Sequence, residues 1–275
     1  MNAVDTRDVK SMAMRRVGKY FALGQIAFRQ AFSHRGRWLG VAIFYAVILV
    51  ILVQLWQAVL GSSSDGDSKA GDMLWYVAVT EWLYLSAPRI FDDIEHDVRS
   101  GDIAYHVTRP VSYVMMKIAE GTGDMCLRAL VLGGVGVVIG YMLVGSWPSH
   151  PEGLLWLIPL GVLAMLLGVL LNVMIGLSAV WIQDITPVYW LVQKLIFVFG
   201  GLMLPLSVYP EWMQTLARFT PFYVMLYGTG RLMLEPTSAV LWDTCMLFAI
   251  WYGVAIAALW FIHTRAMRVL NVNGG

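Results

Sequence analysis

Long apolar runs separated by short polar breaks organise this chain. The first run, residues 38–60, ends in the polar loop GSSSDGDSKAGD, rich in residues that stop helices. Further apolar runs cover residues 73–90, 119–144, 154–180, 190–206 and 240–262. Each approaches the roughly 20 residues that a helix needs to cross a bilayer. The pattern therefore predicts an all-α integral membrane protein with six transmembrane helices. The run 73–90 is short and holds Glu81 and Pro88, so it requires protein packed around the carboxyl. Residues 207–233 are mixed in character, and their apolar pieces are too interrupted for a span. They read as short re-entrant or interfacial helices before the last span, shielded by protein.

Ahead of the first run, Val17, Phe21, Gly24, Phe28 and Ala31 recur at helical spacing, beside polar Arg16, Lys19, Gln25, Arg29 and Gln30. This predicts an N-terminal amphipathic helix, either lying in the membrane interface or packed on a neighbouring part of the protein. The domain plan is an N-terminal segment 1–37, a membrane domain 38–262 with a polar loop at 89–117, and a tail 263–275. The 37-residue basic, mixed-polarity lead-in is unlike a signal peptide.

Charge placement sets the expected orientation. Fourteen basic residues fall before the first run, in the 89–117 loop and in the tail, against only Lys69, Arg218 and Arg231 in loops of the other side. The positive-inside rule then puts both termini in the cytoplasm. Composition agrees with a membrane class: 59% of the 275 residues are hydrophobic and 13% are charged, where soluble chains carry about 25% charged residues. A net charge of +1 gives no nucleic-acid signature. The two cysteines, Cys126 and Cys245, lie in apolar runs, which argues against a disulfide framework and a metal-ligand cluster. No GxxxxGK[ST], HExxH or GxSxG pattern occurs. The chain is therefore expected to hold no catalytic centre, cofactor or metal of its own.

Two segments carry the functional signal. In the 89–117 loop, Ile90, Ile94 and Val98 repeat every four residues, Asp93 follows Arg89 by four, and Arg99 follows Glu95 by four. A short helix with one apolar side and ion pairs along it is predicted, ended by Ser100-Gly101 and followed by Arg109-Pro110. Such a helix is a docking surface for a soluble partner or an ordinary solvated loop. At the start of the third run, Glu120, Asp124 and Arg128 share one helix face, with Lys117 one turn earlier. That ladder either stays in the headgroup region or, for Asp124 and Arg128, faces protein. Glu81, Asp124 and Arg128 are the intramembrane polar candidates. Polar residues elsewhere in the runs are sparse, among them Asn172 and Gln193, and form no relay of the kind an ion pump needs. Mostly apolar and aromatic walls suit an amphipathic or lipid-like cargo. Gly133 to Gly140, and Gly161, Gly168 and Gly176, permit close helix approach, within or between subunits.

The run DVRSGDIAYHVTRPVSYVMMK, Asp97 to Lys117, resembles the cytoplasmic loop of the type-2 exporter class of bacterial ABC permeases. More narrowly, it is similar to a subfamily with D-[IV]-R-x-G-x-[IL] followed by R-P, here Asp97, Val98, Arg99, Gly101, Ile103, Arg109 and Pro110. The resemblance implies a dimer of permease subunits, the second the same or divergent, in the bacterial inner membrane. It implies two cytoplasmic ATPase subunits as partners, which would hold the ATP and Mg2+. It also implies that the helix around Phe91 to Arg99 is a coupling helix. Phe91, Asp92, Glu95, Asp97, Arg99, Gly101, Arg109 and Pro110 are the residues it assigns to that contact.

Two other classes stay open on the sequence alone. A membrane enzyme acting on lipids needs an acid and histidine cluster, and Asp92, Asp93, His96 and Asp97 are the nearest approach, without metal-site spacing. A scaffold of a larger membrane complex needs no such cluster.

Overall fold

The computed structural model describes residues 6–33, 35–60, 66–107, 111–182 and 184–273, and every regular element among them is helical. In chain order the α-helices are α1 (Thr6–Ser33), α2 (Arg35–Leu60), α3 (Gly66–Ser86), α4 (Ile90–Ser100), α5 (Asp102–Val107), α6 (Tyr113–Val144), α7 (Gly153–Leu177), α8 (Thr186–Phe199), α9 (Glu211–Arg218) and α10 (Ser238–Asn273). A π-helical segment, Tyr223–Gly228, lies between α9 and α10.

The six-span expectation is corrected. Among the described residues, four helices are long and apolar enough to cross a membrane: Leu39–Val59, Tyr113–Val144, Gly153–Val180 and Ser238–Val269. The runs 73–90 and 190–206 do not qualify, for different reasons. The helix α3 has the length but carries Asp67, Lys69, Asp72 and Glu81, and it stops at Ser86 ahead of Pro88. The helix α8 is apolar but only 14 residues long, about 21 Å against a hydrocarbon core of roughly 30 Å. It ends where Gly200 and Gly201 turn the chain, Gly201 at a φ of 64° that favours glycine. The topology drawn from six spans falls with the count.

The bundle is built around α3. Residues Leu74 through Glu81 are buried without interruption, more than two full turns, so protein surrounds α3 on every side. Its neighbours are α2, α6, α7 and the π-helical segment. Glycines of α6 make room for aromatic rings. Gly133 faces Trp82, Gly136 faces Tyr45 and Gly140 faces Trp75. The small residues of α6 thus pack helices within one chain. Hydrogen bonds fasten the same contacts. The Tyr45 hydroxyl donates to the Ala78 carbonyl at 2.7 Å, and the Tyr76 hydroxyl to the Gly201 carbonyl at 2.6 Å. The Trp82 indole N–H donates to the Ala129 carbonyl at 2.8 Å.

The helix α1 lies along α6, with Ala31 and Leu127 in a small shared core. Gly24 sits against the Ala119 carbonyl, and Phe21, Ile26 and Phe32 point outward. The α6 helix has 32 residues, about 48 Å, so some 18 Å exceeds the hydrocarbon thickness. Its charged residues, Lys117 to Arg128, cluster in the N-terminal half. Gly145, at a φ of 76°, closes it, donating its N–H to the Tyr141 carbonyl at 2.8 Å.

Within residues 207–233, α9 is amphipathic, with Trp212 and Leu216 exposed and Ala217 buried. The following stretch, Phe222 to Gly230, is buried against α3, α7 and α10. At this end of the bundle Arg218 pairs with Asp243, and Arg231 with Glu235 at 2.7 Å.

Candidate functional site

Helix α4 follows α3 after the three residues Ala87, Pro88 and Arg89. Acidic Asp92 and Asp93 in its first turn and Arg99 in its last complement the helix dipole. Gly101, at a φ of 82°, ends it, and its N–H donates to the Val98 carbonyl at 3.3 Å. One side of α4 is fully apolar. Ile90, Phe91 and Ile94 are buried. Ile94 packs on Gly176 of α7 so closely that a Cβ there would stand 2.7 Å from the Ile94 Cβ. Ile90 and Ile94 join Ile103, Val173, Leu177 and Leu259 in a second core.

The sequence-derived candidates divide by depth. Phe91 is wholly buried and stacks on Tyr189 of α8, with ring centroids 4.2 Å apart. Arg89 lies over both rings, at 5.1 and 5.0 Å, and pairs with Asp92 at 3.1 Å. Asp97 turns inward, where the Lys117 ammonium lies 2.8 Å away and the Tyr113 hydroxyl donates at 2.7 Å. Lys117 also reaches Glu120 at 3.5 Å. Asp92, Asp93, His96, Arg99 and Gly101 are exposed, and Arg99 pairs with Glu95 at 3.3 Å. Arg109 and Pro110 lie outside the described residues. Local spacing announced the Glu95–Arg99 pair. It did not announce Asp97–Lys117, which joins two elements, nor the part played by Tyr113 and Tyr189.

The intramembrane candidates take separate places. Asp124 and Arg128 pair one turn apart on α6 at 3.0 Å. Glu81 of α3 is 2% exposed. It lines a cavity of about 340 Å³ walled by α2, α3, α7, α8 and the π-helical segment, with Arg128 at its margin. That is within the size range of small-molecule sites. The helix α8 contributes Tyr189, Gln193 and Phe197 to this cavity. It is pinned to the bundle by Phe91–Tyr189 and by Tyr84, which accepts a hydrogen bond from the Gln193 amide at 2.8 Å. Tyr84 also meets Phe197 edge-on at 5.3 Å. At the start of α8, the hydroxyl and backbone N–H of Thr186 hold the Asp184 carboxyl below its usual range. Arg89 lines the same cavity, so the N-terminus of α4 forms part of its wall.

Among the described residues, no group of three or more His, Cys, Asp or Glu side chains is placed to hold a metal ion. Residues 67–274 match the protein-family model described as ABC-2 family transporter protein. No curated protein matches the chain.

Proposed function

The chain belongs to the ABC-2 family of transporter proteins, and from that premise we propose that it is the permease subunit of an ATP-driven exporter. ATP and Mg2+ sit on two separate cytoplasmic ATPase subunits, and a second permease, the same or divergent, completes the translocation path. The cargo is amphipathic or lipid-like. The end of the bundle bearing α4 faces the cytoplasm of a bacterium, where an ATPase subunit can reach it. Residues 89–117 form the coupling loop, and 207–233 cover the opposite mouth.

The observation that carries this reading is the two-sided construction of α4. Its outer face, with Asp92, His96 and Arg99, is free to meet an ATPase subunit. Its inner face is wedged into α7 through Ile94–Gly176 and into α8 through Phe91–Tyr189. Both helices wall the cavity. A push on the outer face therefore reaches the walls through packed side chains, and close-packed contacts transmit displacement with little give. The Asp97–Lys117 pair ties the far end of α4 to α6, which keeps the helix from rolling in place.

Gentle purification from the native membrane should bring down an ATPase subunit in about equal amount to the permease. The Arg99→Glu variant should keep that partner and its fold while losing most ATP-coupled transport, since Arg99 is 62% exposed in its side chain and pairs with Glu95 of its own helix. Full transport by Arg99→Glu, or a chain that purifies alone where a control ABC complex stays whole, overturns the reading.

A further inference from the structure

Two polar groups on the cavity wall are left over from the packing: the buried Glu81 carboxyl, and the buried Oδ1 of the half-buried Asn172. Glu81 is 2% exposed, and among the described residues no hydrogen bond or ion pair reaches it. On α7, the Asn172 side-chain nitrogen donates to the Gly168 carbonyl at 2.9 Å, and its Oδ1 is buried without any partner. Both residues line the same cavity. A buried polar atom without a partner is uncommon, because it has given up water and gained nothing. Both leftover groups are acceptors when Glu81 is ionised, and a bound cation that donates hydrogen bonds is what favours that form.

The rest of the wall narrows the chemistry. Phe197, Leu171 and Met225 present apolar and aromatic surface. The two arginines at the margin are already engaged, Arg128 with Asp124 and Arg89 with Asp92. Their charge is met by their own carboxylates, whereas among the described residues no ion pair reaches Glu81.

We propose that this cavity binds cationic amphiphiles bearing a primary or secondary ammonium, with Glu81 pairing the charge, Asn172 Oδ1 accepting a second N–H, and the apolar walls holding the tail. This rests on the permease reading only in making the ligand a cargo; the site itself stands on the two unpartnered acceptors. The arrangement selects against fatty-acid anions, which would bring a second carboxylate beside Glu81.

The test uses the full chain, with its co-purified partners, in lipid nanodiscs, and empty nanodiscs for subtraction. Decylammonium, decanol and decanoate are titrated by calorimetry. Decylammonium should bind saturably at one per chain and at least about tenfold more tightly than decanoate, as expected for a paired rather than a repelled buried charge. Glu81→Gln should remove about tenfold of the decylammonium affinity and leave decanol unchanged. Asn172→Leu should remove less, about threefold, as for one neutral hydrogen bond. A melting curve for each variant confirms that it is folded, and Glu81→Asp, which keeps the charge, should retain most of the binding. Decanoate binding as tightly as decylammonium, or Glu81→Gln binding decylammonium within twofold of the parent, overturns the proposal. The ATPase rate of the same samples separates the two readings. Binding with no change in ATPase rate keeps the site and counts against cargo. Coupled ATPase activity with no saturable decylammonium binding keeps the permease and overturns the site.

Discussion

Helices α3 and α8 both line one cavity, and each fails as an ordinary membrane span for the opposite reason. The helix α3 is 21 residues long and polar enough to carry Glu81, yet its middle is buried on all sides. The helix α8 is largely apolar over its 14 residues, Gln193 and Lys194 apart, yet not one of them is fully buried. Trp190 and Leu191 are each 62% exposed. The difference teaches that hydropathy reports what a helix would tolerate as a neighbour, not which neighbour it has. A helix sheathed by other helices can afford polar atoms, provided each finds a partner or a ligand. A helix on the rim keeps its apolar surface outward and touches the bundle at a few side chains.

Breaking the contacts of each helix in turn should sharpen that contrast. The largest effect is expected at Gly136→Leu. A side chain there overlaps the Tyr45 hydroxyl, and Tyr45 must leave the Ala78 carbonyl that it bonds on α3. Overpacking together with the lost hydrogen bond should cost about 3 kcal/mol. Thermal unfolding of the full chain in nanodiscs, followed by tryptophan fluorescence, reads it directly. A melting temperature within experimental error of the parent would mean that α3 is not held against α6 as described.

A smaller loss is expected from Tyr76→Phe. The ring stays in place, but the Gly201 carbonyl loses the donor that now stands 2.6 Å away in a fully buried site. The cost should be about 1–2 kcal/mol, seen in the same unfolding curve. The smallest effect belongs to α8. Gln193→Leu removes the hydrogen bond to Tyr84 but leaves the Phe91–Tyr189 stack. Global stability should fall by only about 1 kcal/mol. Hydrogen exchange in residues 186–199 should rise far more than in α3, because local opening of a rim helix needs less than unfolding of the bundle. Equal protection of α3 and α8 in that variant would erase the distinction between them.

Much of the site was legible before any coordinates, and the part that was not has a common cause. The four-residue repeat of Ile90, Ile94 and Val98 announced α4, and the spacing of Glu95 and Arg99 announced their ion pair. Both are features of a single helix, whose period the sequence carries directly. Asp97 gave no sign of Lys117, nor Phe91 of Tyr189, because those pairs join elements far apart along the chain. Asn172 and Gln193 stood out only as sparse polar residues, and nothing local tells that both line the same cavity as Glu81.

By itself, then, the sequence determined a helical membrane protein, its strongest apolar helices, a charged helix between two of them, and glycines set for close packing. Those follow from the length and period of apolar runs, which the bilayer thickness and the helix repeat convert into structure. Only the tertiary structure decided that α3 is wrapped in protein, that α8 is too short and stands at the rim, and that Glu81 and the unpartnered Oδ1 of Asn172 belong to one cavity wall. These depend on which surfaces meet, and that choice is made by side-chain shape across many contacts at once.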